Sequence, residues 1–307
     1  MAWPCFCNFM KLTARDLQDL LRPPRMGHLT GRIHRLAPHH RPMFRKAFLL
    51  LASAIFAHAE APEGWKLVWS DEFDGKEIDF TKWAAEENGH GGGNAELQYY
   101  LDRPENVRVE DGNLVIEARK QKFNMAGVEK DYTSGRLRTK RRQSWLYGRF
   151  EARAKLPTGR GLWPAIWLLP EHEKYGGWAA SGEIDIMELV GHEPNKVHGT
   201  LHHGASWPKN IHTGAPFTLE KGTFADDFHV FATEWEKGEI RWYVDGVLYQ
   251  TQKEWKSEGK PFPAPFDQPF FMVLNVAVGG GWPGPPDDKT VFPQRMTIDW
   301  VRVYQRP

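Results

Sequence analysis

Cysteine is almost absent from this 307-residue chain: its only two, Cys5 and Cys7, fall at the extreme N-terminus. A domain built from the remainder has neither a disulfide framework nor a thiolate metal site, so stability must come from a core and from any hard cation it holds. A charge surplus is absent too. The 40 Lys and Arg offset 39 Asp and Glu, leaving +1 with no long block of one sign. That balance argues against nucleic acid as a partner, because binding it needs a clustered cationic face. Sustained helical periodicity, linkers, repeats and low-complexity tracts are all lacking from residue 60 onward, which points away from helical bundles and multidomain arrays. The apolar run from Ala47 to Phe56 is too short for a permanent membrane span.

What is plentiful is tryptophan (14), glycine (29) and proline (22). Gly and Pro at that level suit many strands joined by turns; Trp offers flat apolar faces that serve either sugar rings or a packed core. Near the N-terminus, Met43 opens a segment in which Arg45 and Lys46 precede the apolar run and Ala57-His58-Ala59 follow it. Basic residues, a short apolar core and a small-x-small site make a secretory signal, so we expect cleavage after Ala59 and export to the periplasm or medium. Residues 1–42 then read as an upstream extension without function, 43–59 as the signal and 60–307 as a single domain that does not insert stably into membrane.

Within that domain, short alternating segments recur between turn signals, the pattern of antiparallel sheets. Asn113 to Arg119, Gly148 to Lys155, Phe231 to Trp235, Glu239 to Val244 and Val247 to Thr251 read as strands. Asp245-Gly246 joins the last two and readily takes the positive φ angles of a tight hairpin turn. Phe270 to Val278 is almost continuously apolar, as a strand buried on both faces would be. The expected fold is all-β, a two-sheet antiparallel sandwich of jelly-roll type.

The most informative segment is Gly182-Glu183-Ile184-Asp185-Ile186-Met187-Glu188-Leu189. In a strand, Glu183 and Asp185 share one face and the isoleucines the other. Glu188 lies five positions after Glu183, so a regular strand would turn it into the core as an unpaired buried carboxylate, at a cost of several kcal/mol. A β-bulge at Met187 returns Glu188 to the acidic face and Leu189 to the core. Four effective steps of about 3.3 Å then put the two Glu Cα atoms roughly 13 Å apart. Side chains reaching about 4 Å each leave a gap of about 5 Å, the separation of a retaining glycosidase rather than an inverting one. Three acids on one face cannot all ionise cheaply, so one of them is expected to keep a proton. The same pattern also suits a half-solvated strand whose acids merely face water.

Other segments bear on that choice. They are Trp69-Ser70-Asp71-Glu72-Phe73, Asn94-Ala95-Glu96-Leu97-Gln98-Tyr99-Tyr100, Ser134-Gly135-Arg136, Gly161-Leu162-Trp163-Pro164-Ala165-Ile166-Trp167, His198-Gly199-Thr200-Leu201-His202 and Leu274-Asn275-Val276-Ala277-Val278-Gly279-Gly280. Together with the acidic strand they resemble the family 16 glycoside hydrolases, in particular their laminarinase branch, over nearly all of residues 64–307. The resemblance implies a retaining endo-β-1,3-glucanase acting on β-glucan as a monomer, with Glu183 as nucleophile, Glu188 as general acid/base and Asp185 tuning the pair. The extra residue at Met187 is typical of the laminarinase and related bulged branches and lacking in lichenases. Mixed-linkage glucanase, transglycosylase and non-catalytic glucan-binding protein stay open as relatives on the same fold, although a non-catalytic one is expected to lose an acid.

Trp163 and Trp167 are four apart on an apparent strand and so face one way. By resemblance they wall the central sugar sites, Asn94 and Arg136 bind sugar hydroxyls, and His202 lies at the catalytic end. Trp282 follows three glycines and suits a loop over the cleft. His198, His202 and His203 could be misread as a zinc cluster, but in a strand His203 faces away from His202, and no cofactor is expected for catalysis. The family's structural calcium would be held here by Asp299 and the backbone oxygens of Glu72 and Gly112, a mixed oxygen set that calcium accepts.

Overall fold

A computed structural model describes residues 61–307; the expected signal at 43–59 and the extension at 1–42 lie outside the described residues. Its strands form two sheets. One has seven strands in the order Asn210–Thr218, Lys196–Gly204, Glu183–Glu188, Leu162–Pro170, Phe270–Val278, Arg136–Arg138 and Ala84–Ala85. The other has ten. Its main path runs Val247–Gln252, Glu239–Val244, His229–Glu236, Gly148–Lys155, Gln294–Gln305, Asn113–Met125, Val128–Ser134 and Gln98–Tyr100. Lys66–Asp71 adds to Gln294–Gln305, and Val107–Glu110 to Asn113–Met125. Every strand pair is antiparallel except Gln98–Tyr100 with Val128–Ser134, a parallel pairing that alternation cannot foretell. That short strand continues from the lip of the concave sheet, where the Leu97 N–H donates to the Val278 carbonyl at 2.7 Å.

Alternation is what makes the two sheets stick. Ile166, Leu168, Ile184, Leu201, Leu274 and Val276 from the seven-stranded sheet meet Phe150, Ala152, Phe231, Trp235, Ile298 and Val301 from the other. Burial of each of the larger side chains is worth about 1.5–3 kcal/mol. The strand Phe270–Val278 is buried along its whole length, with its even-numbered residues in this core. Its odd-numbered Asn275 and Ala277 form part of a concave floor on the opposite face. The hairpin at Asp245-Gly246 has φ of 49° and 78°, the two positive values of a type I′ turn. Six tryptophans (65, 83, 145, 235, 242 and 255) are buried, so the core does take a large share of the Trp.

Candidate functional site: three acids in a tryptophan-walled cleft

The Glu183–Glu188 strand crosses the concave face between Leu162–Pro170 and Lys196–Gly204. Its ladder is irregular. From Ile184 opposite Leu168 to Glu188 opposite Ala165, four steps on this strand match three on its neighbour. Likewise Asp185 pairs with Thr200 and Glu188 with His198, three steps against two. The bulge that parity demands is therefore present, spread over Ile186 and Met187, both of which enter the core. Two features seat it. Trp242 reaches from the opposite sheet to donate its Nε1–H to the Asp185 carbonyl at 2.8 Å. Gly199, across from the bulge, leaves room for that indole: a Cβ there would stand 2.4 Å from Trp242 Cδ1.

With the bulge in place, Glu183, Asp185 and Glu188 all line one cleft of about 590 Å³. Glu183 Oε2 accepts the Trp178 Nε1–H at 2.8 Å, and Glu188 Oε1 accepts the Trp163 Nε1–H at 3.0 Å. Asp185, between them, is only 2% exposed. His202 Nε2 stands 3.2 Å from Asp185 Oδ2 and 3.6 Å from Glu183 Oε1. Burial, reinforced by the Asp185 carboxylate, pushes both Glu183 and Glu188 up to about 8, while His202 and the two indole N–H groups pull the other way. Burial also raises Asp185 well above the usual carboxylate range. The two glutamates are raised alike, so burial does not choose which holds a proton. Their partners differ, and of the two only Glu183 has an imidazole nitrogen within 4 Å.

The other expected residues surround this trio. Trp163 and Trp167 both face the cleft, as their spacing requires. Trp167 donates to Asn275 Oδ1 at 2.7 Å, and the Arg136 guanidinium lies 4.9 Å from its ring while pairing with Glu86 at 2.7 Å. Asn94 lines the lip, with its amide turned to the Gly92 carbonyl at 3.3 Å. Trp282 stands edge-on to Trp163, ring centroids 5.6 Å apart, and against His198 at 5.0 Å. His203 points to the opposite side from His202, toward the Lys256 carbonyl at 3.1 Å. The histidines thus do not converge, but His202, Glu183 and Asp185 do, with ligand atoms all within 4.8 Å of one another.

Further residues line the cleft without being singled out as site residues by the sequence pattern, among them Trp178, Trp207, Glu96 and Asn275. Asn275 has a readable signal, since it is the one polar residue in the apolar strand Phe270–Val278. Trp178 and Trp207 have none. They project from two loops, and the Trp207 N–H bonded to the Trp178 carbonyl at 2.8 Å joins the pair.

For calcium, the register brings the expected ligands to the middle of the Gln294–Gln305 strand. Ile298 pairs with Leu114, two residues beyond Gly112, and Val301 with Asp71, one residue before Glu72. Asp299 Oδ2 accepts from Arg153 at 2.6 Å, so this carboxylate is already partly neutralised and would be shared with any cation. The set therefore fits a weak oxygen site better than a tight one.

A family model described as "Glycosyl hydrolases family 16" matches residues 94–302, which include the three acids and all of the cleft lining except Gly92 and Gly93. The chain belongs to that family. Among family 16 relatives, it is 46% identical over 255 residues to a "Beta-glucanase" of Rhodothermus marinus, covering 78% of this chain and 85% of that one. It is 43% identical over 259 residues to "Glucan endo-1,3-beta-glucosidase A1" of Niallia circulans, covering 79% of this chain but only 38% of that longer protein. The laminarinase catalytic domain of Thermotoga maritima MSB8 superposes with a TM-score of 0.71 at 47% identity, over 78% of this chain and 98% of that one. The sandwich is thus the jelly roll of family 16 laminarinases, and the cleft lies on its concave sheet.

Proposed function

We propose that this chain is a retaining endo-β-1,3-glucanase that hydrolyses laminarin-type glucan by double displacement. The observation that carries the reading is the bulge: it alone brings Glu183 and Glu188 to the same face of a long open cleft, with Asp185 between them. Four ladder steps of about 3.3 Å, less a reach of about 4 Å from each side chain, leave roughly 5 Å between the carboxyls, too little for the water an inverting mechanism places there. Glu183, next to His202 and holding the Trp178 N–H, is suited to stay ionised and attack the anomeric carbon. Glu188 protonates the departing glycosidic oxygen, then takes a proton from the water that releases the glycosyl-enzyme. Trp163, Trp167, Trp178 and Trp207 offer apolar faces to successive sugar rings, while Asn94, Arg136, Glu96 and Asn275 offer polar groups to hydroxyls. The basic, apolar and small-residue order at 43–59 supports export before action.

The reading is tested by following laminarin cleavage by NMR with the wild type and Glu183→Ser. Newly formed reducing ends should appear first as the β-anomer, from internal cuts. The serine variant should remain folded and bind laminarin yet lose essentially all turnover. First appearance of the α-anomer, or near-normal turnover by folded Glu183→Ser, would overturn it. Products longer than the starting oligosaccharide would show transfer to sugar in place of hydrolysis.

A further inference from the structure

We propose that Glu183, Asp185 and His202 form a binding site for a divalent transition-metal ion of the zinc class, and that the bound ion shuts the cleft to glucan. The distances carry the argument. An ion with ligands at about 2.0–2.2 Å in tetrahedral array needs ligand atoms about 3.3–3.6 Å apart. From His202 Nε2, Asp185 Oδ2 is 3.2 Å away and Glu183 Oε1 is 3.6 Å away, so two edges of the tetrahedron already have nearly the right length. All three ligand atoms lie within 4.8 Å of one another. The fourth position opens on the cleft, where water can fill it.

A second observation points to a missing ligand. Asp185 is almost wholly buried, and its Oδ2, directed at His202, makes no hydrogen bond of acceptable geometry. A buried acceptor left in that condition costs about 1–3 kcal/mol. A cation would satisfy it and offset the repulsion between neighbouring carboxylates. One imidazole with two carboxylates is a donor set for zinc, copper or nickel. Magnesium and calcium prefer an all-oxygen set of six or more ligands, which a cluster that supplies an imidazole nitrogen and two carboxylates does not offer.

Binding is a ligand exchange without electron transfer. The imidazole nitrogen and two carboxylate oxygens donate lone pairs, the ion sheds waters, and protons held by those groups leave to solvent. On the proposed function, an ion coordinated by Glu183 occupies the nucleophile and stands where the reacting sugar must lie. Zinc should then compete with glucan. The binding claim stands apart from the glucanase reading because it can be measured with no substrate present.

The full-length chain carries Cys5 and Cys7, and thiolates are zinc donors, so the experiment uses Cys5→Ser/Cys7→Ser protein freed of metal by chelator and dialysis. Calorimetric titration with zinc chloride should reveal one site. Asp185→Asn and His202→Gln, each verified as folded by circular dichroism, should weaken it more than about tenfold. His212→Gln removes an exposed imidazole whose ring centroid is 5.9 Å from that of His202 and should leave the affinity unchanged. In the unaltered cleft, a laminarin oligosaccharide should weaken zinc binding, zinc should raise the KM for laminarin without lowering kcat, and EDTA should restore activity; magnesium at the same concentration should do nothing. Zinc affinity that survives Asp185→Asn and His202→Gln, or that ignores the oligosaccharide, overturns the proposal. If zinc competes normally with the sugar but no variant of Glu183 affects turnover, the glucanase reading fails and the metal site stands.

Discussion

Each of the two carboxylates to which the proposed mechanism gives a role has its own indole donor, and on that mechanism those two hydrogen bonds are the smallest units on which the chemistry depends. The Trp163 N–H stabilises the ionised form of Glu188, as the Trp178 N–H does for Glu183. Burial pushes Glu188 and Glu183 alike up to about 8; on the proposed mechanism the imidazole beside Glu183 keeps that group ionised, so the proton the pair retains through neutral pH sits on Glu188 and is lost as pH climbs through about 8. On the proposed mechanism, kcat/KM for laminarin should therefore fall on the alkaline side near pH 8. Removing the Trp163 donor takes away a group that favours the carboxylate, so Trp163→Phe should move the alkaline limb upward. Lower overall activity is expected as well, because the same ring walls the cleft. A pH–rate profile separates the two effects: a limb that stays in place, or moves down, rules out Trp163 as a tuning group for Glu188.

At the scale of the element, the bulge converts an odd separation into a shared face. Parity makes it legible in the sequence, because Ile184, Ile186 and Leu189 have to be inside while Glu183 and Glu188 have to be outside. The extra residue cannot be assigned to Met187 alone, however, since Ile186 and Met187 both turn inward and Met187 is fully buried. Deleting Met187 should restore regular alternation and keep the following glutamate in the cleft, but it also empties core volume at a cost of about 2–5 kcal/mol. The variant should fold with a melting temperature lower by roughly 5–15 °C. Its activity should drop about 10²-fold if the carboxyl is displaced by near 1 Å. Inserting a second residue after Met187 should be worse, since parity then drives Glu188 toward the core. Calorimetric melts and laminarin assays on both variants check this; an active insertion beside a dead deletion would refute the bulge account.

For the whole molecule, the sandwich must be stable without cross-links, since the described residues contain no cysteine. Its convex side is laced with ion pairs, among them Arg302 with Glu72 at 2.7 Å and Arg149 with Glu234 at 2.8 Å. A calcium ion held by Asp299 and the backbone oxygens of Glu72 and Gly112 would clip three chain segments on that side. An ion that binds only the folded state at 100 times its Kd adds about 2.7 kcal/mol, or roughly 5–10 °C for a domain of this size. Because Asp299 is shared with Arg153, we expect chelator to lower the melting temperature by the smaller end of that range. An unchanged melt with no metal by elemental analysis would remove the site.

The sequence by itself determined which residues face inward, where hairpins turn and which acids must share a face. All three are local consequences of a two-residue period and of φ preferences at Asp245-Gly246. It also carried the family, because the motif segments keep their order along the chain. Only the tertiary structure decided what stands beside those acids. Trp178 and Trp207 come from loops with no periodicity. Asn275 reaches the cleft from a strand 87 positions beyond Glu188, and Trp242 crosses from the other sheet to hold the bulge. His202 meets Glu183 and Asp185 only because the Lys196–Gly204 strand pairs in that register. Contacts of this kind depend on which strands become neighbours, and that is settled by packing two whole sheets against one core.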